Sequence, residues 1–190
     1  MGTFDKKINE ILTVHNGAKF YWADLHVHTP KWQGFSLPSK ISRDNKKEIA
    51  KLYIEKAKKE DIKILAITEH NDVEWIDPIR EASRGSDVIV FPGFEITTDS
   101  GADGIHILCL FNPNTSQNTL DGILSNLGLL PERRFHNDGS PKAITKNMSE
   151  AIKIIKGQDG ICIAAHVSSD NGLLKKAEGQ IRIELFKNPD

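Results

Sequence analysis

A chain of 190 residues can form one substantial core, and a domain of this size buries roughly 70% of its unfolded surface. Lys and Arg number 25 against 26 Asp and Glu, a formal net charge of -1, which excludes an overall basic field able to hold a nucleic-acid backbone by charge alone. No run approaches the ~20 apolar residues needed to cross a bilayer. Cys109 and Cys162 lie in apolar runs with no metal-type or redox-type pairing. The expectation is a cytoplasmic protein with two buried thiols and no membrane partner.

In chain order, Phe4, Ile8, Ile11 and Leu12 give a weak helical face over 4–16. Phe20 to Leu25 reads as the first strand and runs into His26 and His28. Histidines one residue apart project from the same side of an extended backbone, so both imidazoles can reach one metal ion. The same spacing also fits a plain strand with histidine on its outer face. Residues 30–45 read as a loop, where Trp32, Lys40 and Arg43 could meet an anionic group or simply be solvated. Asp44 or Asn45 can cap a helix to about Lys59, since Ile49, Leu52, Tyr53 and Ala57 recur at helical spacing. A buried-type strand over 62–68 then ends in Glu69-His70-Asn71-Asp72. A helix over 75–84 and a strand over 88–91, stopped by Pro92-Gly93, complete the alternation of a parallel α/β domain.

Residues 94–108 read as a hairpin around a turn rich in Asp, Ser and Gly. With 99–102 as the loop, Glu95 falls opposite His106, where β-carbons stand about 4.5–5.5 Å apart. A one-residue slip would put the two on different faces. Residues 112–141 read as an insertion over one face, with a helix near 118–127 and a polar loop carrying Arg133, Arg134 and His136. The two arginines could grip phosphate or be plain surface. A helix over 142–156 (Ile144, Met148, Ile152, Ile155), a strand over 161–165 ending in His166, and a last strand over 181–186 close the reading.

Of seven histidines, five (His26, His28, His70, His106, His166) lie in or just beyond these strands. A strand histidine costs desolvation unless paired, and five together are hard to explain as core residues. Residues at the C-terminal ends of parallel strands gather at one mouth; four of the five follow that rule, and His106 enters through the hairpin. Imidazole and carboxylate suit zinc, manganese or iron, and a carboxylate such as Glu95 can bridge two ions. Such pairs serve phosphoryl transfer, in which one ion generates hydroxide to attack phosphorus and both neutralise oxygen charge. Asp24 could orient a ligand imidazole or serve as a hydrogen-bonding group at the strand end.

The segments Asp24-Leu25-His26-Val27-His28-Thr29, Ile67-Thr68-Glu69-His70-Asn71, Pro92-Gly93-Phe94-Glu95-Ile96-Thr97, Ile105-His106-Ile107-Leu108 and Ala164-Ala165-His166 resemble, in order, the motifs of the polymerase-and-histidinol-phosphatase (PHP) family. The resemblance covers about residues 20 to 186. It implies an α/β fold, a distorted (β/α)7 TIM-like barrel, with two or three divalent ions (Zn, Mn or Fe). It implies ligand roles for His26, His28, His70, Glu95, His106 and His166, with Glu95 as the bridge and with Glu95, His70 and His166 at the catalytic centre. Glu69 stands where the family usually has aspartate. No further histidine follows within Pro30 to Pro38, and no Asp-x-His follows His166. The chain is therefore expected to be a single domain, incomplete at its C-terminus, from the front of a longer protein; Thr29-Pro30 after His28 is similar to PHP domains fused ahead of a large ATPase. The function expected is a phosphatase or nuclease-like hydrolase of a phosphorylated small molecule, nucleotide or nucleic-acid end, with Lys40, Arg43, Arg133 or Arg134 steadying the phosphate. The alternatives are a catalytically incomplete PHP module with a structural or docking role, and metal-dependent amide or ester hydrolysis.

Overall fold

The computed structural model describes residues 20–32, 34–39, 41–98, 104–170 and 172–176, with Ile183 and Lys187. The helix expected over 4–16, Lys40 and the hairpin tip lie outside the described residues. So does the strand expected over 181–186, except Ile183, which is helical.

The strands are β1 (Trp22–Val27), β2 (Ile62–Ile67), β3 (Ile89–Thr97), β4 (His106–Leu110) and β5 (Ile161–Ala164). The helices are α1 (Lys46–Lys59), α2 (Ile76–Ser83), α3 (Gln117–Asn126), α4 (Met148–Lys156) and the short α5 (Leu173–Lys176). Asn45 caps α1 by accepting from the Glu48 N–H, and Lys56, Lys58 and Lys59 sit where the helix dipole favours cations. The helix expected from 142 starts only at Met148. Asn147 and Glu150 form a reciprocal capping box there, and the Ile144 N–H is already taken by the Thr97 carbonyl at 2.8 Å.

The sheet order is β1-β2-β3-β4-β5. β1, β2 and β3 run parallel, β4 is antiparallel to β3, and β5 is antiparallel to β4. The start of β4 and the exit of β5 therefore open on the same end as the exits of the three parallel strands. Ile54, Ile76, Leu120 and Ile155 of the helices pack with Phe94, Ile96, Ile107 and Cys109 of the sheet in one core. Ala66, Leu108, Leu110 and Ala165 form a second, smaller cluster.

A flat five-stranded sheet would hold its outer strands roughly 19 Å apart at a spacing of 4.7–4.9 Å. Yet the ring of His26 on β1 lies 5.6 Å from that of His166 beyond β5. The sheet is curled into a half-barrel within a mixed α/β fold. The described strands number five, against the seven of a (β/α)7 barrel.

Pro92-Gly93 does not stop β3. Its first half pairs with β2 up to Ile67↔Pro92, and its second half pairs with β4 from Gly93↔Leu110 onward. The missing proline N–H thus falls where the strand changes partner, while the Pro92 carbonyl still accepts from Phe111 at 3.0 Å. The hairpin register also differs from expectation: Glu95 pairs with Leu108, and His106 with Thr97. The slip is of two residues, so the side chains keep their face. Cys109 and Cys162, expected as buried thiols with no metal-type or redox-type pairing, face each other across β4 and β5; both are free, Cys109 buried and Cys162 half-buried.

At the change of partner, a β-carbon on Gly93 would collide with the Cys109 carbonyl oxygen. Gly93→Ala is expected to lower unfolding stability by about 1–3 kcal/mol, read from urea titration. An unchanged midpoint would contradict so close an approach.

Candidate metal centre

Glu95 is fully buried. Its main chain is held by strand-end neighbours: its N–H donates to the Glu69 carbonyl at 2.9 Å, and its carbonyl accepts from the Asn71 N–H at 3.0 Å. This fixes the carboxylate at the mouth of the half-barrel, where five imidazoles meet it. Oε2 lies 2.9 Å from His26 Nε2, 3.4 Å from His28 Nε2 and 3.5 Å from His70 Nδ1. Oε1 lies 2.7 Å from His106 Nδ1 and 3.3 Å from His166 Nε2.

The five rings close a circuit. Centroids are 5.0 Å apart for His26 and His28, 4.7 Å for His28 and His70, 5.4 Å for His70 and His106, 5.1 Å for His106 and His166, and 5.6 Å for His166 and His26. The circuit follows the strand order of the sheet, with Glu95 supplied from the middle strand. Its diagonal pairing with His106 works because an antiparallel neighbour two positions away on the same face remains within reach of long side chains.

A carboxylate has about four lone-pair directions, and a neutral imidazole has one donor and one acceptor nitrogen. Five ring nitrogens on one carboxylate exceed what hydrogen bonding can satisfy. His70 Nδ1 is the residue of that mismatch: buried, aimed at Glu95, and without a hydrogen-bond partner. Divalent cations, if held by the carboxylate and the imidazoles, would resolve it. The donor set fits, and two overlapping groups, His26-Glu95-His166 and His28-His70-Glu95, each bring their ligand atoms within 4.8 Å of one another.

Protonation follows the same geometry. Burial alone would raise the Glu95 carboxyl, but hydrogen bonds with His106 and His26 and the charges of His70 and His26 hold it well below the usual carboxylate range. Burial pushes His70 down to about 4 against the pull of Glu95, leaving a neutral ring with a free lone pair. Burial also pulls His28 down, yet its hydrogen bond to Glu69 and the charges of Glu69 and Glu95 outweigh that and raise it.

Glu69 carries the supporting contacts. Its Oε1 meets His28 Nδ1 at 3.2 Å and accepts the His70 N–H at 2.9 Å. Its Oε2 accepts both the N–H and the hydroxyl of Thr29 at 2.7 Å. With Nδ1 engaged, His28 turns Nε2 toward Glu95. Sequence reasoning missed three further supports. Tyr53 donates to the His28 carbonyl at 2.6 Å, and Ser169 Oγ lies 2.7 Å from His166 Nδ1. Thr68 Oγ1 accepts the Val27 N–H at 3.1 Å, beside the register break between Asp24 and Val27; such bulges re-aim side chains. The helical spacing of Tyr53 with Ile49 pointed to packing, Thr68 stood inside the Ile67-to-Asn71 motif without a role of its own, and Ser169 stood in no recognisable pattern.

The other candidates are placed elsewhere. Asp24 accepts the backbone N–H of His26 at 3.3 Å, the strand-end role and not an imidazole contact. Arg43 donates to the carbonyls of Pro30 and Phe35 at 2.5 Å each, so its guanidinium is spent bracing its own loop. Arg134 is buried, paired through Nη1 with Asp121 at 2.8 Å and through Nε with the Leu129 carbonyl, and its Nη2 has no hydrogen-bond partner. Arg133 is exposed beside Glu132.

No family model matches the chain. An uncharacterised protein of Methanocaldococcus jannaschii is 28% identical over 144 residues, 76% of this chain; the chain spans 66% of that relative's length. A solved structure from Bifidobacterium adolescentis, described as a metal-dependent phosphoesterase, superposes with a TM-score of 0.59 at 15% identity, covering 87% of this chain and 73% of that one. This likeness establishes a shared fold. An amidohydrolase from Chromobacterium violaceum, with bound sulfate and no metal, aligns at a TM-score of 0.47 and 15% identity over 70% of this chain and 64% of that one.

Partners that orient a ligand imidazole change metal affinity by about 10–100-fold when removed. In calorimetric titration with Mn2+ or Zn2+, Glu69→Gln is expected to weaken binding by that factor while Asp24→Asn leaves it near wild type. Equal affinities for Glu69→Gln and wild type would show that Glu69 does not position His28.

Proposed function

We propose that the chain is a metal-dependent hydrolase of phosphate esters. The observation that carries this reading is the convergence of five imidazoles on one buried carboxylate at the mouth of a half-barrel. His26, His28, His70, His106 and His166 would hold the metals, at least two, with Glu95 shared between them; zinc, manganese and iron all suit this donor set. Divalent ions held this way supply Lewis-acid activation of water and neutralise charge on phosphoryl oxygens.

The chain's own residues prepare that chemistry. Glu95, kept ionised, offers one oxygen to each side of the circuit. Glu69 locks the His28 ring through Nδ1, and Ser169 steadies His166. His166 and His26 have 34% and 29% of their side chains exposed, against 16% and 12% for His70 and His106, so the ester approaches over the first pair. The shared fold with a protein described as a metal-dependent phosphoesterase supports the same reaction class. Candidate substrates are a phosphorylated small molecule, a nucleotide or a nucleic-acid end.

A second reading, a catalytically incomplete module, draws on the ligand set itself. Glu95 is the one carboxylate in either metal-sized group among the described residues, and Asp170, beyond His166, pairs with Lys175. Turnover separates the two readings. Purified protein given Mn2+, Zn2+ or Fe2+ is expected to hydrolyse a phosphate monoester or diester, to stop on chelation, and to lose about 100-fold or more in Glu95→Gln. Metal-loaded protein that hydrolyses neither class, or a Glu95→Gln variant of wild-type rate, would overturn the proposal.

A further inference from the structure

We infer that Trp32 is a stacking platform beside the metal centre, selecting phosphate esters whose alcohol carries a planar aromatic ring, as a nucleoside does. The phosphate half of this inference rests on the phosphoesterase reading; the aromatic half rests on Trp32 itself.

The Trp32 ring centroid lies 5.6 Å from that of His28, whose Nε2 faces Glu95. His28 follows His26 around the circuit, so the indole stands at one end of the open arc from His166 through His26. Trp32 nevertheless keeps 48% of its surface exposed. A large apolar side chain packed into a core would not, and one on an idle loop would not be held as this one is.

The holding is specific. The Trp32 N–H donates to the Thr29 carbonyl at 3.0 Å, and its own carbonyl accepts from Phe35 at 3.1 Å. Arg43 clamps the loop through the Pro30 and Phe35 carbonyls, and Phe35 stacks on Tyr53 at 6.0 Å. The indole lies against Gly34, where a β-carbon would come within 2.6 Å of the ring. A ring fixed in advance loses little freedom when a ligand stacks on it.

Among the described residues, the cations of this loop are engaged. Lys31 Nζ lies 3.7 Å from both Asp72 and Glu74 and 5.6 Å from the centre of the Phe135 ring, and Arg43 braces the loop. Trp32 thus presents a π-face and not an anion site, next to a centre suited to phosphate. Such a face takes any base, because every base has one.

The test uses the full chain saturated with Mn2+, comparing wild type, Trp32→Ala and Trp32→Phe on adenosine monophosphate, p-nitrophenyl phosphate and glycerol 1-phosphate. Stacking on one aromatic side chain is worth about tenfold or more. Trp32→Ala is therefore expected to raise KM for both aromatic esters about tenfold more than for glycerol phosphate, with kcat little affected, and Trp32→Phe to recover most of the difference. A loss equal for all three esters, or no loss, overturns the platform. Calorimetric binding of adenosine monophosphate to the metal-loaded protein separates the two halves. Trp32-dependent binding without hydrolysis of any ester sinks the phosphoesterase reading and keeps the platform. Hydrolysis with no Trp32-dependent aromatic preference does the reverse, and absence of both ends both.

Discussion

The structure depends on one buried anion. An ionised carboxylate withdrawn from water costs several kcal/mol even after the protein relaxes, unless charge or hydrogen bonds compensate it. Glu95 is wholly buried on the strand that joins the parallel and antiparallel halves of the sheet. Every strand sends something to meet it: His26 and His28 from β1, His70 from the exit of β2, His106 from β4 and His166 from the exit of β5. The curl of the sheet is what brings the two ends of that series within contact of each other. A flat sheet of the same strands would leave His26 and His166 on opposite margins.

The two carboxylates at the mouth have divided their work. Glu69 is saturated by donors, His28 Nδ1, the His70 N–H and both donors of Thr29, which makes it a fixed strut. Glu95 faces ring nitrogens alone, with one of them, on His70, left unpartnered. Saturation suits a group that orients others, and an excess of lone pairs around an anion suits cations. That contrast, between two glutamates both at strand ends, is the physical basis for proposing Glu95, and not Glu69, as the carboxylate that would hold metal.

Much of this was readable in the chain because chemistry and periodicity coincide at the strand exits. The His26/His28 pair, His70 after an apolar run and His166 after another announced both strands and site, and Asp44-Asn45 marked the start of α1, with Asn45 supplying the cap. Register was less legible. Counting from the turn placed Glu95 opposite His106, whereas the true pairing is two residues further on, and the contact survives only because an even slip preserves the face. Pro92-Gly93 looked like a stop because a proline lacks the ladder donor; nothing local reveals that the strand changes partner there. The apolar spacing of Ile144 suggested a helix from 142, but tertiary pairing to Thr97 took that stretch and the helix waited for Asn147. Arg43 and Arg134 show the limit most plainly: a guanidinium on a polar loop reads as a phosphate ligand until its carbonyl and carboxylate partners are seen.

The most direct measurement is anomalous diffraction from crystals of the protein equilibrated with Mn2+ or Zn2+, collected at the metal's absorption edge. The account predicts peaks on both sides of the Glu95 carboxylate, each about 2.0–2.3 Å from one of its oxygens and from imidazole nitrogens of the circuit. Peaks only at surface carboxylates, or none near Glu95 at saturating metal, would contradict it.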